Sequence, residues 1–329
     1  MIRRRDLLAR LSFLGVLGGV RSPITAQESV ELPPASPELR IQSFDGPLVV
    51  TSDLRRQRDL FEGGFGFGLV ADQELDATAV KALFGVAERS ARTVLLQPKG
   101  ASTGVRLVEF RPPARRAARD GARPADRDAL GGIDLAVQEV ERTKRMLTAR
   151  GFRPAPPGAG GPASGNFGGV PEGQVEGPDG VICAFRQMGA PLAEILSVSA
   201  PVSNKDAALS FYRDVLGLVA AQGHEAANGH VTRFQLAGQA PMITVVHPSP
   251  GPGARHSLRD RAALPNPGLQ ALRFSVPSVA AVARTAALSR LEVVAGPSEA
   301  LLFPQGRVRS ILIRAPHGVL HHFTETLKA

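Results

Sequence analysis

The run Ser203-Asn204-Lys205-Asp206-Ala207-Ala208-Leu209-Ser210-Phe211-Tyr212-Arg213-Asp214-Val215-Leu216-Gly217-Leu218 decides how this chain folds. Ala208, Phe211, Tyr212, Val215 and Leu216 fall at helical spacing and make one apolar face. Ser203 precedes Asp206 by three residues, a capping-box spacing, and Gly217 stands where a helix would stop. Upstream, Ile195 to Val202 is apolar with small residues and reads as a strand. Downstream, Leu218 to Ala221, His230 to Leu236 and Pro241 to His247 read as three strands separated by turn residues. The unit is strand, helix, then three strands.

The same order recurs three more times, and an internal repeat outranks any single-segment reading. Leu48 to Thr51 leads to Asp53, a helix through Leu60-Phe61 and glycines at 63 and 64. Gly132 to Val137 leads to a helix over Val140 to Leu147 that stops at Gly151. Leu269 to Val276 leads to a helix with Val279, Val282, Ala283, Ala286 and Ala287 on one face, then Leu291 to Val294 and a last strand, Gly318 to Phe323.

In the quoted run, a Phe-Tyr pair precedes an Asp-x-Leu-Gly turn. With Asp179-Gly180-Val181 and His317-Gly318-Val319 before strand-like runs, it resembles the vicinal oxygen chelate superfamily of glyoxalases, bleomycin resistance proteins and extradiol dioxygenases. The resemblance spans roughly residues 44–325. It implies an α+β fold of four βαβββ modules paired into two glyoxalase/dioxygenase-like cups. Pairing sequential modules gives a first domain over 41–188 (modules 41–112 and 129–188) and a second over 192–326 (modules 192–250 and 267–326). Pro112 to Arg127 and Pro248 to Pro265 are expected as linkers. The Pro/Gly/Ala/Ser-rich stretch Pro154 to Gly169 is expected as a loop and a candidate lid.

The superfamily's usual chemistry is a divalent ion held by His, Gln or Glu from the first and last strands of each module, acting as a Lewis acid. Three or four ligands must converge for that. Carried over by position, the first-strand places fall on Gly46, Gly132, Ser197 and Ala271. The last-strand places fall on Ala184 and His322, with Arg106 or Glu109 and Met242 or Thr244 as the remaining candidates. Among these, His322 is the one clear metal-binding side chain, so it is the candidate metal ligand. His321, adjacent on the strand, points to the other face and reads as a surface or lightly buried histidine. Period-two alternation then lines a second cup with Ser197, Ser199, Arg273 and His322. An arginine in a partly closed pocket favours an anionic ligand, unless Arg273 extends to the rim.

Two functions follow as expectations. One is binding of a small organic molecule in a cup whose metal site is largely lost. The other is a divalent-metal lyase, isomerase or ring-cleaving dioxygenase (Fe, Mn, Ni or Zn) with a shifted ligand set. No cofactor is assigned outright, and catalytic residues are not assigned. The expected partner is a small-molecule ligand or substrate, with an oligomer left open.

The charge balance excludes one class. The formal charge is +9, of which five Arg and one Asp in residues 1–26 supply +4, leaving +5. The remaining Arg residues form no basic stripe with interleaved aromatics, Trp is absent and Tyr occurs once, so nucleic-acid binding is not expected. The single Cys183, in Val181 to Phe185, allows no intramolecular disulfide and reads as a small buried hydrophobe. Gly64-Phe65-Gly66-Phe67-Gly68 lacks dinucleotide-binding spacing. Met1 to Ala26 reads as a leader: Arg4-Arg5-Asp6-Leu7-Leu8 resembles the twin-arginine export pattern, followed by an apolar run, Leu11 to Val20, too short to span a bilayer. An exported, periplasmic protein without a later membrane span is the expectation.

Overall fold

The structure is a computed structural model that describes residues 39–119, 126–155, 173–188, 194–226, 229–237, 243–249 and 256–328. The leader, Met242 and most of the Pro154 to Gly169 stretch lie outside the described residues.

The first module is β1 (Ser43–Val50), α1 (Leu54–Asp59), a π-helical turn Leu60–Gly64, β2 (Gly68–Leu75), α2 (Ala77–Phe84), β3 (Ser90–Gln97) and β4 (Val105–Arg111). The second is β5 (Gly132–Val137), α3 (Val140–Ala149), β6 (Arg153–Pro154), β7 (Gly173–Glu176) and β8 (Ile182–Gln187). The third is β9 (Glu194–Pro201), α4 (Lys205–Ser210) with a π-helical turn Phe211–Val215, β10 (Val219–Ala226), β11 (Gly229–Gln235) and β12 (Ile243–Pro248). The fourth is β13 (Gly268–Ser275), α5 (Val279–Leu288), β14 (Glu292–Leu302), β15 (Gly306–Arg314) and β16 (Leu320–Thr326).

Local chemistry explains the helix ends. Asp53, Asn204 and Ser278 cap α1, α4 and α5 by accepting from the amides of Arg56, Ala207 and Ala281. The cap of α4 is therefore Asn204 and not Ser203, whose own amide donates to Asp128 at 2.9 Å. Gly217 takes a left-handed φ of 67°, the stop that the sequence suggested. The element α2, between β2 and β3, was not expected. Asp76 caps it and Gly85 ends it at φ 71°.

The sixteen strands form two eight-stranded sheets, in the orders β14-β15-β16-β13-β1-β4-β3-β2 and β10-β11-β12-β9-β5-β8-β7-β6. The module pairing differs from the expectation. The first module joins the fourth through β1 and β13, and the second joins the third through β5 and β9, both antiparallel. So 41–188 and 192–326 are not two separate cups. The alternating pattern is the same in all four modules and names no partner. The short connection from β8 to β9 lets the two middle modules pair, which leaves the outer two for each other.

One face of each sheet carries the helices. Leu54, Leu60 and Phe61 from the first module, Leu147 from α3, Phe211 and Tyr212 from the third module, and Val279 and Val282 from α5 join one core with Val49, Ile133, Val198 and Phe274 of both sheets. The faces away from those helices differ. On the outer-module sheet, Val80, Leu83 and Phe84 of α2 pack with Leu48, Val108, Phe110, Leu312 and Leu320. The cup is filled from within. Its edge strands also meet: Gln73 of β2 donates to the Leu301 carbonyl at 3.0 Å and accepts from the Phe303 amide at 2.9 Å.

Candidate functional site

Registry fixes which side chains share the face of the inner-module sheet that carries no helix among the described residues, its helix-free face below. Asp134 pairs with Ser197 across β5 and β9 and with Ala184 across β5 and β8. Ser199 pairs with Thr244, Thr244 with Arg233, and Ala136 with Arg186. Directly paired residues point to the same face. Asp134, Ser197, Ser199, Thr244, Arg186 and Arg233 therefore gather on one surface, all buried.

The centre of this set is a hydroxyl relay. Thr244 Oγ1 donates to Ser197 Oγ at 3.0 Å, and Ser197 Oγ donates to Asp134 Oδ2 at 2.9 Å. Burial raises the Asp134 pKa from 3.8 to about 6, against the Ser197 hydrogen bond and the charges of Arg186 and Arg233, which lower it. A carboxyl that titrates near 6 is an acceptor above that pH and a donor below it. Cys183, next to Ala184 on β8, faces the helix core instead. Burial and the nearby Asp134 charge raise its pKa, which leaves it an inert thiol.

The four residues expected to line one pocket are divided between the two sheets. Ser197 and Ser199 belong to the set above. Arg273 and His322 pair with each other across β13 and β16 on the other sheet. Arg273 is not at a rim: it is 4% exposed, and its guanidinium donates to the carbonyls of Asp45 and Gly104. Gly46 permits this, since a Cβ there would overlap the Gly104 carbonyl. His322 is 1% exposed and lies under Phe84, with ring centroids 5.7 Å apart. Burial, then Arg273 and Arg106, press its pKa from 6.5 to about 3, so it is neutral. Arg106 is buried beside them, donating to Thr93 Oγ1 at 3.2 Å and the Phe303 carbonyl at 2.9 Å.

Of the other candidates, Glu109 is spent on the α1 amide of Leu54 and on Arg111. His321 is buried and not at the surface: it stacks on Phe274, meets Phe211 edge-on, and holds its Nδ1 on the Val319 carbonyl.

Neither place fits a divalent cation. On the outer-module sheet the candidate ligand positions present Gly46, Ala271, Arg106 and His322, with Arg273 alongside, so two guanidinium charges stand where anionic donors would be needed. On the inner-module sheet there is one carboxylate among hydroxyls, an alanine and two arginines. Among the described residues no group of three or more His, Cys, Asp or Glu is placed to hold a metal ion. A divalent site needs several such donors at one point.

The profile of the Glyoxalase/Bleomycin resistance protein/Dioxygenase superfamily matches residues 194–323. That segment is similar to this superfamily, and the described chain has the fold of the solved structures below. Glyoxalase I from Zea mays superposes with a TM-score of 0.59 over 86% of this chain and 92% of its own, at 13% identity. A putative dioxygenase from Bacillus subtilis superposes at 0.59 over 88% and 87%, at 11% identity. No curated protein matches the sequence at a significant level. The superfamily fold binds small-molecule substrates, and no helix among the described residues is long and apolar enough to cross a membrane.

Sequence reasoning singled out Ser197 and named Thr244 as a candidate. It gave Asp134 no role in a site. The available signal was a lone carboxylate inside the apolar run Gly132 to Val137, facing the same way as Ser197 only once β5 and β9 are known to pair.

Proposed function

We propose that this chain binds a small organic molecule, an anion by preference, on the helix-free face of the inner-module sheet, without a divalent metal. The observation behind this reading is the contrast between the two sheets. One has its cup filled by α2. The other keeps a buried carboxyl, three hydroxyls and two guanidinium groups on the corresponding face. Arg186 and Arg233 supply the positive field that an anionic ligand would meet. Asp134, Ser197 and Thr244 supply directional hydrogen bonds. Against the relatives' metal chemistry stands the absence of a matching donor set among the described residues. The twin-arginine-like leader supports a further part of the reading, that the mature chain works in the periplasm.

The test pairs elemental analysis with a binding screen. The mature protein, exposed to Fe(II), Mn(II), Ni(II) and Zn(II) and then desalted, should hold less than stoichiometric metal. Thermal-shift and calorimetric titrations with aromatic and short-chain carboxylates should give saturable binding that Ser197→Val weakens. Affinity should fall as pH rises through about 6, because Asp134 becomes an anion and repels the ligand. Stoichiometric metal with turnover of dicarbonyl adducts or catechols would replace this reading with a metalloenzyme.

A further inference from the structure

The outer-module sheet holds an unbalanced positive charge. Arg106 and Arg273 are 1% and 4% exposed, and each carries a buried Nε without a hydrogen-bond partner. His322 pairs with Arg273 from β16, on the side of β13 away from β1 and β4, and both its ring nitrogens are buried and unpartnered. Asp45 is the acidic group whose field reaches both arginines. Its two carboxylate oxygens already accept from Ser43 at 2.6 Å and Ser275 at 2.8 Å. Arg273 takes the backbone carbonyl of Asp45 and not its carboxylate. Two buried guanidinium charges thus face one carboxylate.

Buried charge without a counter-charge is costly, and orphaned buried donors call for a partner. We propose that Arg106, Arg273 and His322 bind a monatomic anion of chloride or bromide size at the place where the superfamily fold holds its cation. The two Nε–H groups and one imidazole N–H are its donors. The ion restores charge balance and satisfies three orphaned groups at once. Burial under Phe84 leaves no opening for an organic ligand. Water would satisfy the donors and leave the charge.

The ion should be sought by unfolding the full chain in urea, refolding it in bromide, and crystallising it. An anomalous bromide peak within hydrogen-bond reach of Arg106, Arg273 and His322 is the expected result. Raising chloride a hundredfold at constant ionic strength, with gluconate as the balancing anion, should raise the Tm by about 3 °C or more. His322→Leu should cut that increment at least by half. Arg273→Met should abolish it, and if Arg273→Met does not fold, His322→Leu still tests the site. No bromide peak, or a Tm indifferent to chloride, overturns the proposal.

Discussion

A single aspartate carries much of what is distinctive here. Asp134 is buried, and its pKa is raised to about 6 from 3.8. The folded state therefore prefers it protonated. Its favourable contribution is complete below about pH 3.8 and is lost as pH rises through 6. At neutral pH the residue costs about 3 kcal/mol, since each tenfold change in proton affinity between the folded and unfolded chain is worth about 1.4 kcal/mol. Asp134→Asn keeps an acceptor for Ser197 and removes the titration. It should stabilise the protein by about 1–3 kcal/mol at pH 8 and have little effect at pH 4, as read by urea unfolding at both values. Equal effects at both pH values would show that Asp134 is not held near its protonation midpoint. A residue retained at such a cost fits a binding role, since stability and function compete at sites.

At the scale of elements, α2 is the decisive addition. Most of the βαβββ order was legible, because helical and period-two spacing survive in each module and the helix stops at Gly151 and Gly217 stand where the sequence put them. The inserted helix escaped that reading. Ala77-Thr78-Ala79-Val80-Lys81-Ala82-Leu83-Phe84 has two turns of helical spacing but lies where the repeat has only strands. Its caps, Asp76 and Gly85, were the missed signal. Phe84 is 1% exposed and packs edge-on to Phe110 and over His322. Phe84→Ala should cost about 3–5 kcal/mol in urea unfolding, with the fluorescence and circular-dichroism transitions remaining coincident. A cost under about 1 kcal/mol would mean that α2 only rests on the cup.

At the scale of the molecule, the candidate site was less legible than the fold. Ser197 and His322 were picked out by their positions within a module, and Ser199 and Arg273 by strand parity; both are local properties. Their separation onto different sheets is a property of partner choice, which depends on connection length and on the whole set of strands. Three buried histidines, His317 and His321 against Phe211 and Tyr212 and His322 under Phe84, also set an acid limit. His317, His321 and His322 all have pKa values lowered chiefly by burial, the latter two to about 3. Each stays neutral in the folded state and binds a proton in the unfolded state below about 6.5, so stability is complete above that pH and lost as pH falls towards 3. Asp134 offsets one of the three protons between about 3.8 and 6. The net loss should be about 2.7 kcal/mol per pH unit there, measurable as a falling urea midpoint from about pH 6 to about pH 4.5. A midpoint that holds or rises over that interval would contradict the buried, neutral state of the three rings.

The order of the strands has one more consequence. The inner sheet draws only on residues 132–248, while the outer sheet joins β1 (Ser43–Val50) to β13 (Gly268–Ser275) and is incomplete without β16. A chain emerging from the ribosome can finish the inner sheet early, but its first module must wait for the last. Until the C-terminal strands arrive, the apolar faces of β1 and β4 have no lasting cover. A truncation near residue 265 therefore leaves one half assembled and the other adhesive, a nested dependence that a tandem arrangement of the same four modules would not have.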